Sequence, residues 1–529
     1  MIIDGNTIDS NIHDEADICI IGGGVAGIVL ARELKDSYAK IIMVEGGDEY
    51  YSQDSQDLYQ SNKTTHFPNT HYSRLRFLGG SSNHWENNTS PFTALDFEKR
   101  EWIPNSGWPL SLDDIEPFYM QAATYCGTEP DGYNTNYWKS KYQQEDLFAA
   151  SGKVQTQIAK SSLPPVRFFA QYGEELKQTE NILIYKNSNL VDMNYESGKR
   201  KITSIIAQSY TGKKLTINAK VFIMCLGGLE NARMLLHFND KYDNGLGNQG
   251  GNVGAYLMEH PTVRAVYMFK QEKKNFDFYQ AHYEQSRVIK GFLSLTEQAL
   301  RQEKSVNLRI PLMNASEFEL SAGISSAHIL ADELSQVSMP DDFGTHVMNV
   351  LSDLDMVIEG LARKHFDKRI FESANDNIGF LPAMMTEQTP IRENCIKLSE
   401  KKDGFGLRLM DIEYQITQDD RNRIWKSLNV LAKEFGALGL GRVKLNPEFS
   451  SRIWGSQLGF SNHHMGTTKM AETEKDGVVD KNSLVFGTSN LFMAGSSVFC
   501  TGSHVPPTLT ICAMSIRLAE YIKTEFNHA

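Results

Sequence analysis

No stretch of this 529-residue chain approaches the roughly 20 consecutive apolar residues that a membrane-spanning helix needs. The opening segment, Met1 to Ala16, is polar and acidic. It lacks the basic start and apolar core of a secretory signal, so a cytoplasmic location without a membrane span is expected. Cysteine is sparse. Cys19, Cys126, Cys225, Cys395, Cys500 and Cys512 are scattered, and none forms a C-x-x-C pair, which excludes a zinc ribbon and a redox dithiol. No set of ligands stands at metal-binding spacing, so no metal is expected. Basic residues are outnumbered, 53 Lys and Arg against 65 Asp and Glu, for a net charge of -12. That balance argues against nucleic acid or an anionic membrane as partner. No serine stands in a G-x-S-x-G elbow, which sets hydrolase chemistry aside. There is no internal repeat and no low-complexity tract. Hydrophobic residues at 41% suffice for packed cores, and the length exceeds what one core serves, so two or more domains are expected.

What is present begins with Ile18-Cys19-Ile20-Ile21-Gly22-Gly23-Gly24-Val25-Ala26-Gly27. An apolar strand runs into a glycine-rich turn and then into the helical pattern Ile28 to Leu34. Gly22, Gly24 and Gly27 fit G-x-G-x-x-G: the first permits the tight turn, the second admits a pyrophosphate close to the backbone, and the third lets helix and strand pack closely. The helix N-terminus, from Val25 and Ala26, offers N–H groups and a positive dipole end to phosphates. A second strand, Ile41 to Val44, ends in Glu45, whose carboxylate suits a ribose 2′-OH and disfavours a 2′-phosphate. The unit predicts dinucleotide binding, and the glycines alone do not separate FAD from NAD.

Further on, Asn181 to Gln208 alternates like paired strands, with Ile182–Tyr185 and Ile202–Ile206 flanking a turn at Gly198. Lys220 to Cys225 enters Leu226-Gly227-Gly228 and a helix from Glu230 to Leu236, which reads as another strand of the same parallel sheet. Tyr256 to Ser294 predicts strands of a second domain, Ile324 to Phe366 helices, and Ile396 to Tyr414 two strands about a turn at Asp403-Gly404. Gln418 to Phe435 predicts an amphipathic helix with Ile424, Leu428 and Leu431 on one face. A final helix is expected from about Pro507 to Phe526.

Three constellations could carry chemistry. Leu78-Gly79-Gly80-Ser81-Ser82-Asn83-His84-Trp85 allows close backbone approach to a flat ring or phosphate, with His84 as nucleophile, ligand, tether or simple loop histidine. In Asn462-His463-His464-Met465-Gly466, adjacent histidines on a strand would face opposite ways, one toward a site as general base. The third is Ser503-His504-Val505-Pro506-Pro507-Thr508, where Pro507 suits the first turn of the last helix.

These motifs, together with Cys225–Leu236, Val253–Pro261 and the run Val478 to Phe499, resemble the glucose–methanol–choline (GMC) oxidoreductases over nearly the whole chain. The GGSSNHW run is most similar to the branch that contains pyranose 2-oxidase and the sugar and polyol dehydrogenases. The resemblance implies an α/β fold: a discontinuous Rossmann-like FAD-binding domain (14–130, 181–260 and 455–529) with an α+β substrate-binding domain (131–180 and 261–454), as in glucose oxidase-like folds. It implies FAD, tethered through His84, which stands five residues after Gly79. Glu45 and Gly46 should meet the adenosine ribose, Val191 or Leu190 the adenine, and Arg76 to Ser82 the pyrophosphate and isoalloxazine. Asn83, Gly227, Gly495 and Ser496 complete the cofactor set, with Pro507 and Thr508 to Thr510 near the flavin ring.

The base of the family corresponds to His463, which would take the hydroxyl proton of a sugar, polyol or natural-product alcohol as its carbinol hydride leaves for the flavin. Oxygen, a quinone or another carrier would reoxidise the flavin. The sequence departs from the family pattern at Pro506, where members carry Asn or His. Proline has no side-chain donor and no N–H. Two consequences are open: His504 substitutes for the missing group, or the fold performs non-alcohol chemistry such as desaturation, a lyase-type step or a biosynthetic dehydrogenation. His328, His346 and Tyr283 are read as ordinary domain residues.

Overall fold

A computed structural model describes all residues except 38, 130, 243–244, 317–318, 336–337, 341, 366–376, 451–457 and 527–529. Its larger core is built on an eight-stranded sheet. Ile12–Ile21 lies at the centre, parallel to Ile41–Val44 on one side and Lys214–Met224 on the other. Beyond Ile41–Val44 come Ile182–Lys186 and Ile2–Asp4, both parallel, and Leu491–Met493 pairs in parallel with the end of Lys214–Met224. Ile18 to Ile21 and Ile41 to Val44 are buried at every position. Unbroken apolar runs of this kind belong to parallel strands covered on both faces. Helices Val25–Leu34 and Thr508–Phe526 pack on each other and on this core.

The hairpin expected within residues 181–208 forms from other segments. Ser188–Glu196 pairs antiparallel with Lys201–Ser209, whereas Ile182–Lys186 joins the parallel sheet. Ile182, Ile184 and Tyr185 are buried there between neighbours distant in sequence. Alternation identifies a strand but does not choose its partner.

The second core gathers short strands around helix Gln418–Ala437, whose Ile424, Leu428 and Leu431 are buried as the periodicity predicts. Thr417 caps this helix, its hydroxyl accepting from Asp420 N–H while the Asp420 carboxylate reaches back. One sheet orders Leu308–Arg309, Met384–Thr386, Pro261–Val263 and Leu458–Phe460, all antiparallel. Another pairs Val154–Ser162 with Arg287–Leu295. Helices Ala322–Ser335, Phe343–Ser352 and Leu354–His365 fall in the expected segment, whose last residue, Phe366, lies outside the described residues.

Packing cuts across the expected domain ranges in three places. Ile2–Asp4 joins the large sheet. Helix Phe168–Gln178 packs on Val25–Leu34, with Phe168 and Leu176 in the larger core. The hairpin Cys395–Lys402 with Arg408–Glu413 also buries Ile396 and Ile412 there. The boundary expected at 454–455 lies outside the described residues. No described helix is long and apolar enough to cross a membrane.

Candidate active site

The carboxyl ends of the parallel strands open onto a cavity of about 890 Å³. The three glycines of the first turn do different work. Gly22 has φ +110°, and a Cβ there would lie 2.6 Å from the Cys225 carbonyl oxygen. A Cβ on Gly27 would lie 2.0 Å from the Gly22 carbonyl oxygen, so this glycine seats the helix on the strand. Gly24 has nothing within 4 Å of an added Cβ and lines the cavity with Val25 and Ala26. Space is kept free at the one glycine that a pyrophosphate has to approach. Glu45, at the end of the second strand, is buried at the cavity wall; its Oε2 accepts from Gly23 N–H at 2.8 Å and its Oε1 from Gly47 N–H at 2.7 Å. Arg76 brings its guanidinium against Gly46, where an added Cβ would lie 2.3 Å from Nη2.

The loop from Gly79 folds over this turn. Gly79 donates its N–H to the Gly23 carbonyl at 2.8 Å, and Gly80–Asn83 form a short 3-10 turn. Gly80, Ser81, Ser82 and His84 line the cavity. Asn83 does not; its side-chain amide donates to the carbonyls of Leu78 and Gly80 and holds the loop. His84 is exposed to the cavity, and partial desolvation together with the Arg167 charge lowers its pKa, leaving a neutral ring at the wall. The helices starting at Val25, Gly227 and Thr508 all present N-terminal residues to the cavity, as do Gly495, Ser496, Pro506 and Pro507. Ser188, Asn189 and Leu190 also line the wall; Val191, expected with Leu190 at the adenine, is not part of it. The open Gly24, the polar Glu45 and Arg76 and the helix N-termini together fit an anionic dinucleotide.

At the other end of the cavity stand His463 and His464. They follow the strand Leu458–Phe460 rather than lying in it, and Asn462 has φ +58°. The strand alternation expected to separate them is therefore broken, and both reach the wall. Met258 and Met465 exchange backbone hydrogen bonds, which pins Glu259 and His260 against this pair. His463 Nδ1 lies 2.8 Å from His260 Nδ1, while His260 Nε2 lies 2.9 and 3.1 Å from the carbonyl oxygens of Gly502 and Ser503. Carbonyls only accept, so His260 carries its proton on Nε2 and turns a bare Nδ1 toward His463. His463 must then donate from Nδ1, and its Nε2 keeps a lone pair without a protein partner among the described residues. Burial and the neighbouring rings push the His463 pKa well down, so the ring is neutral. Burial also lowers His260 to about 4 and His464 to about 3. Glu259 Oε1 accepts the N–H groups of His260 and His463, both at 2.7 Å, yet burial raises its pKa to about 8.

His504 is elsewhere. It is fully buried off the cavity wall, with Nε2 2.8 Å from Gln157 Oε1. Tyr283 is exposed on an outer strand and His346 bonds to Ser326; neither they nor His328 line the cavity.

Residues 390–515 match the GMC oxidoreductase family model. The chain is 21% identical to the fructose dehydrogenase large subunit of Gluconobacter japonicus, covering 97% of this chain and 98% of that one. It is 20% identical to 2-methyl-1,2-propanediol dehydrogenase of Mycolicibacterium austroafricanum, covering 97% and 96%. Residues 390–515 thus carry the C-terminal domain of a GMC oxidoreductase. Solved structures agree on the fold: pyridoxine 4-oxidase from Mesorbium loti superposes at TM-score 0.55 and 15% identity over 97% of this chain and 99% of that one. Formate oxidase gives 0.57 and 16% over 98% and 100%.

Two residues of the histidine cluster were not assigned a role from the sequence. Glu259 and His260 stand inside the Val253–Pro261 motif, and only the folded contact with His463 gives them one. Arg309, on the two-residue strand Leu308–Arg309, carries no sequence signal at all.

Proposed function

We propose that this protein is a GMC oxidoreductase that binds FAD and oxidises a CH–OH carbon of a sugar, polyol or other small alcohol, with His463 as the base. The observation that carries this reading is the bare Nε2 of His463 on the wall of the cavity that also holds the dinucleotide cradle. FAD, when bound, supplies the hydride acceptor. Gly22 to Gly27 and the helix N-termini hold its phosphates, Glu45 its ribose, and the Gly79–His84 loop its ring. His463 Nε2 takes the hydroxyl proton, and His260 keeps that nitrogen bare. A neutral His463 is ready for this at pH 7 without first losing a proton. His84, neutral and at the wall, is the candidate covalent tether.

The decisive experiment is an anaerobic visible spectrum of the flavoprotein before and after sugars, polyols and aromatic alcohols. Bleaching by one class supports carbinol oxidation and names the substrate group. Bleaching by dithionite alone rejects it.

Pro506 favours a second reading, non-alcohol chemistry on the same fold. It lines the cavity and offers no donor there, and the fully buried His504 does not reach the wall to replace one. Pro506→Asn separates the two. A large gain in alcohol oxidation supports the second reading, whereas loss of native turnover supports a specialised site under the first.

A further inference from the structure

Arg309 lies directly opposite Met385, and Met385 directly opposite Thr262, in adjacent antiparallel strands. Residues so paired share a face. All three line the cavity, on the sheet whose last strand leads into His463. Arg309 is only 9% exposed. Its hydrogen bond runs from Nη2 to Asn88 Oδ1 at 3.0 Å, its flat face lies 5.1 Å from the centre of the Phe292 ring, and its Nε is buried with no partner. Glu86 lines the same cavity and its charge acts on the guanidinium from beyond ion-pair distance, opposing the effect of burial without cancelling it.

The other deeply buried arginines are all neutralised. Arg74 meets Glu230 at 3.0 Å, Arg233 meets Asp403 at 2.6 Å, and Arg100 holds Glu387 with both ends of its fork. Among the described residues Arg309 alone of these is buried without a carboxylate in ion-pair contact. A buried charge without a counter-charge is costly, and burial accordingly lowers the Arg309 pKa to about 10. The anion that would neutralise it has to come from within the cavity, where Lys290 adds a second positive charge to the wall.

We propose that Arg309 seats a carboxylate of the substrate, so that the alcohol oxidised beside His463 is a hydroxy acid or sugar acid. This rests on the alcohol-oxidising reading above and narrows it. The planar guanidinium fork presents parallel N–H groups that match the two oxygens of a carboxylate, whereas a neutral hydroxyl leaves the charge uncompensated.

The test uses the flavoprotein and binding as its readout. D-gluconate, acetate, sulfate and D-glucose are titrated into oxidised enzyme by calorimetry and by the visible difference spectrum, in wild type, Arg309→Gln and Arg309→Lys. Gluconate should bind wild type more tightly than glucose. Arg309→Gln should weaken gluconate roughly 30-fold or more and glucose less than about threefold, with Arg309→Lys between them. Gluconate affinity unchanged in Arg309→Gln, or glucose preferred by wild type, overturns the proposal. Binding of sulfate without either carboxylate overturns the carboxylate assignment. A variant that alters only the flavin potential and not gluconate affinity also overturns it, since the arginine would then serve the ring. If Arg309→Gln retains no flavin, the gluconate-to-glucose ratio in wild type decides alone. Should gluconate binding depend on Arg309 while no alcohol bleaches the flavin, the anion site stands and the alcohol reading falls.

Discussion

His260 and His463 meet edge to face, with their ring planes at 90° and their Nδ1 atoms 2.8 Å apart. Through this contact the backbone carbonyls of residues 502 and 503 decide which nitrogen of His463 is bare. Residues distant in the chain thus fix the tautomer of the proposed base, much as an orienting carboxylate does in a hydrolase triad.

Removing the acceptor should therefore cost rate rather than fold. His260→Leu is expected to slow flavin reduction by alcohol roughly 100-fold or more. His260→Asn, whose Oδ1 can stand where Nδ1 stood, should stay within about tenfold of wild type. Nitrogen-15 spectra should find His463 protonated at Nδ1 in wild type and His260→Asn, and a tautomer mixture in His260→Leu. Equal rates in the two variants would contradict the orienting role.

Acid stability follows from the same cluster. His260, His464 and His504, lowered to about 4, 3 and 3, stay neutral in the fold while the unfolded chain protonates its histidines near pH 6.5. Their contribution is whole above about pH 6.5 and is lost as pH falls below it. Glu259, raised to about 8, works the other way: the fold holds its proton where the unfolded chain does not, so stability falls as pH rises from about 4.5 to 8. His463, pushed well down, adds a fourth such histidine, so between about pH 6.5 and 4.5 unfolding should take up a net of about three protons from these five groups. Urea unfolding of wild type and Glu259→Gln at pH 5, 7 and 8.5 checks both slopes. The variant should gain on wild type as pH rises, and parallel pH dependences would refute the buried neutral carboxyl.

The two glycines at the mouth of the first helix predict opposite failures. Gly24→Ala has open space and an extended backbone, φ -82°, so the fold should persist while flavin affinity falls at least about tenfold. Gly27→Ala drives a methyl into the Gly22 carbonyl and should destabilise the protein by about 3 kcal/mol or more. Thermal melts with flavin titration of each variant distinguish the two outcomes. A normal melt for Gly27→Ala would contradict the packing role.

A tether at His84 has a direct readout. After acid precipitation the yellow colour should stay with the wild-type protein and pass to the supernatant in His84→Ala. Colour released from wild type would exclude the covalent link.

The sequence by itself determined the elements whose signal is local. Unbroken apolar runs marked Ile18–Ile21, Ile41–Val44 and Val221–Met224 as parallel strands, because a strand covered on both faces has no polar side. Glycine spacing marked the dinucleotide turn, since only that spacing clears Cys225, a phosphate and the helix in turn. The heptad-like spacing of Ile424, Leu428 and Leu431 marked the long helix of the second core. Periodicity, however, carries no partner information. It did not show that Ile182–Lys186 leaves its apparent hairpin for the parallel sheet, or that Phe168–Gln178 packs on the first helix. The site divided in the same way. His463 was legible as the candidate base from its motif, but which of its nitrogens is bare depends on His260 and two carbonyls. Only the folded backbone brings these to hydrogen-bonding distance. Arg309 is one cation among 53 in the sequence. Its meaning comes from burial without a counter-charge beside His463, and burial is a property of the tertiary structure alone.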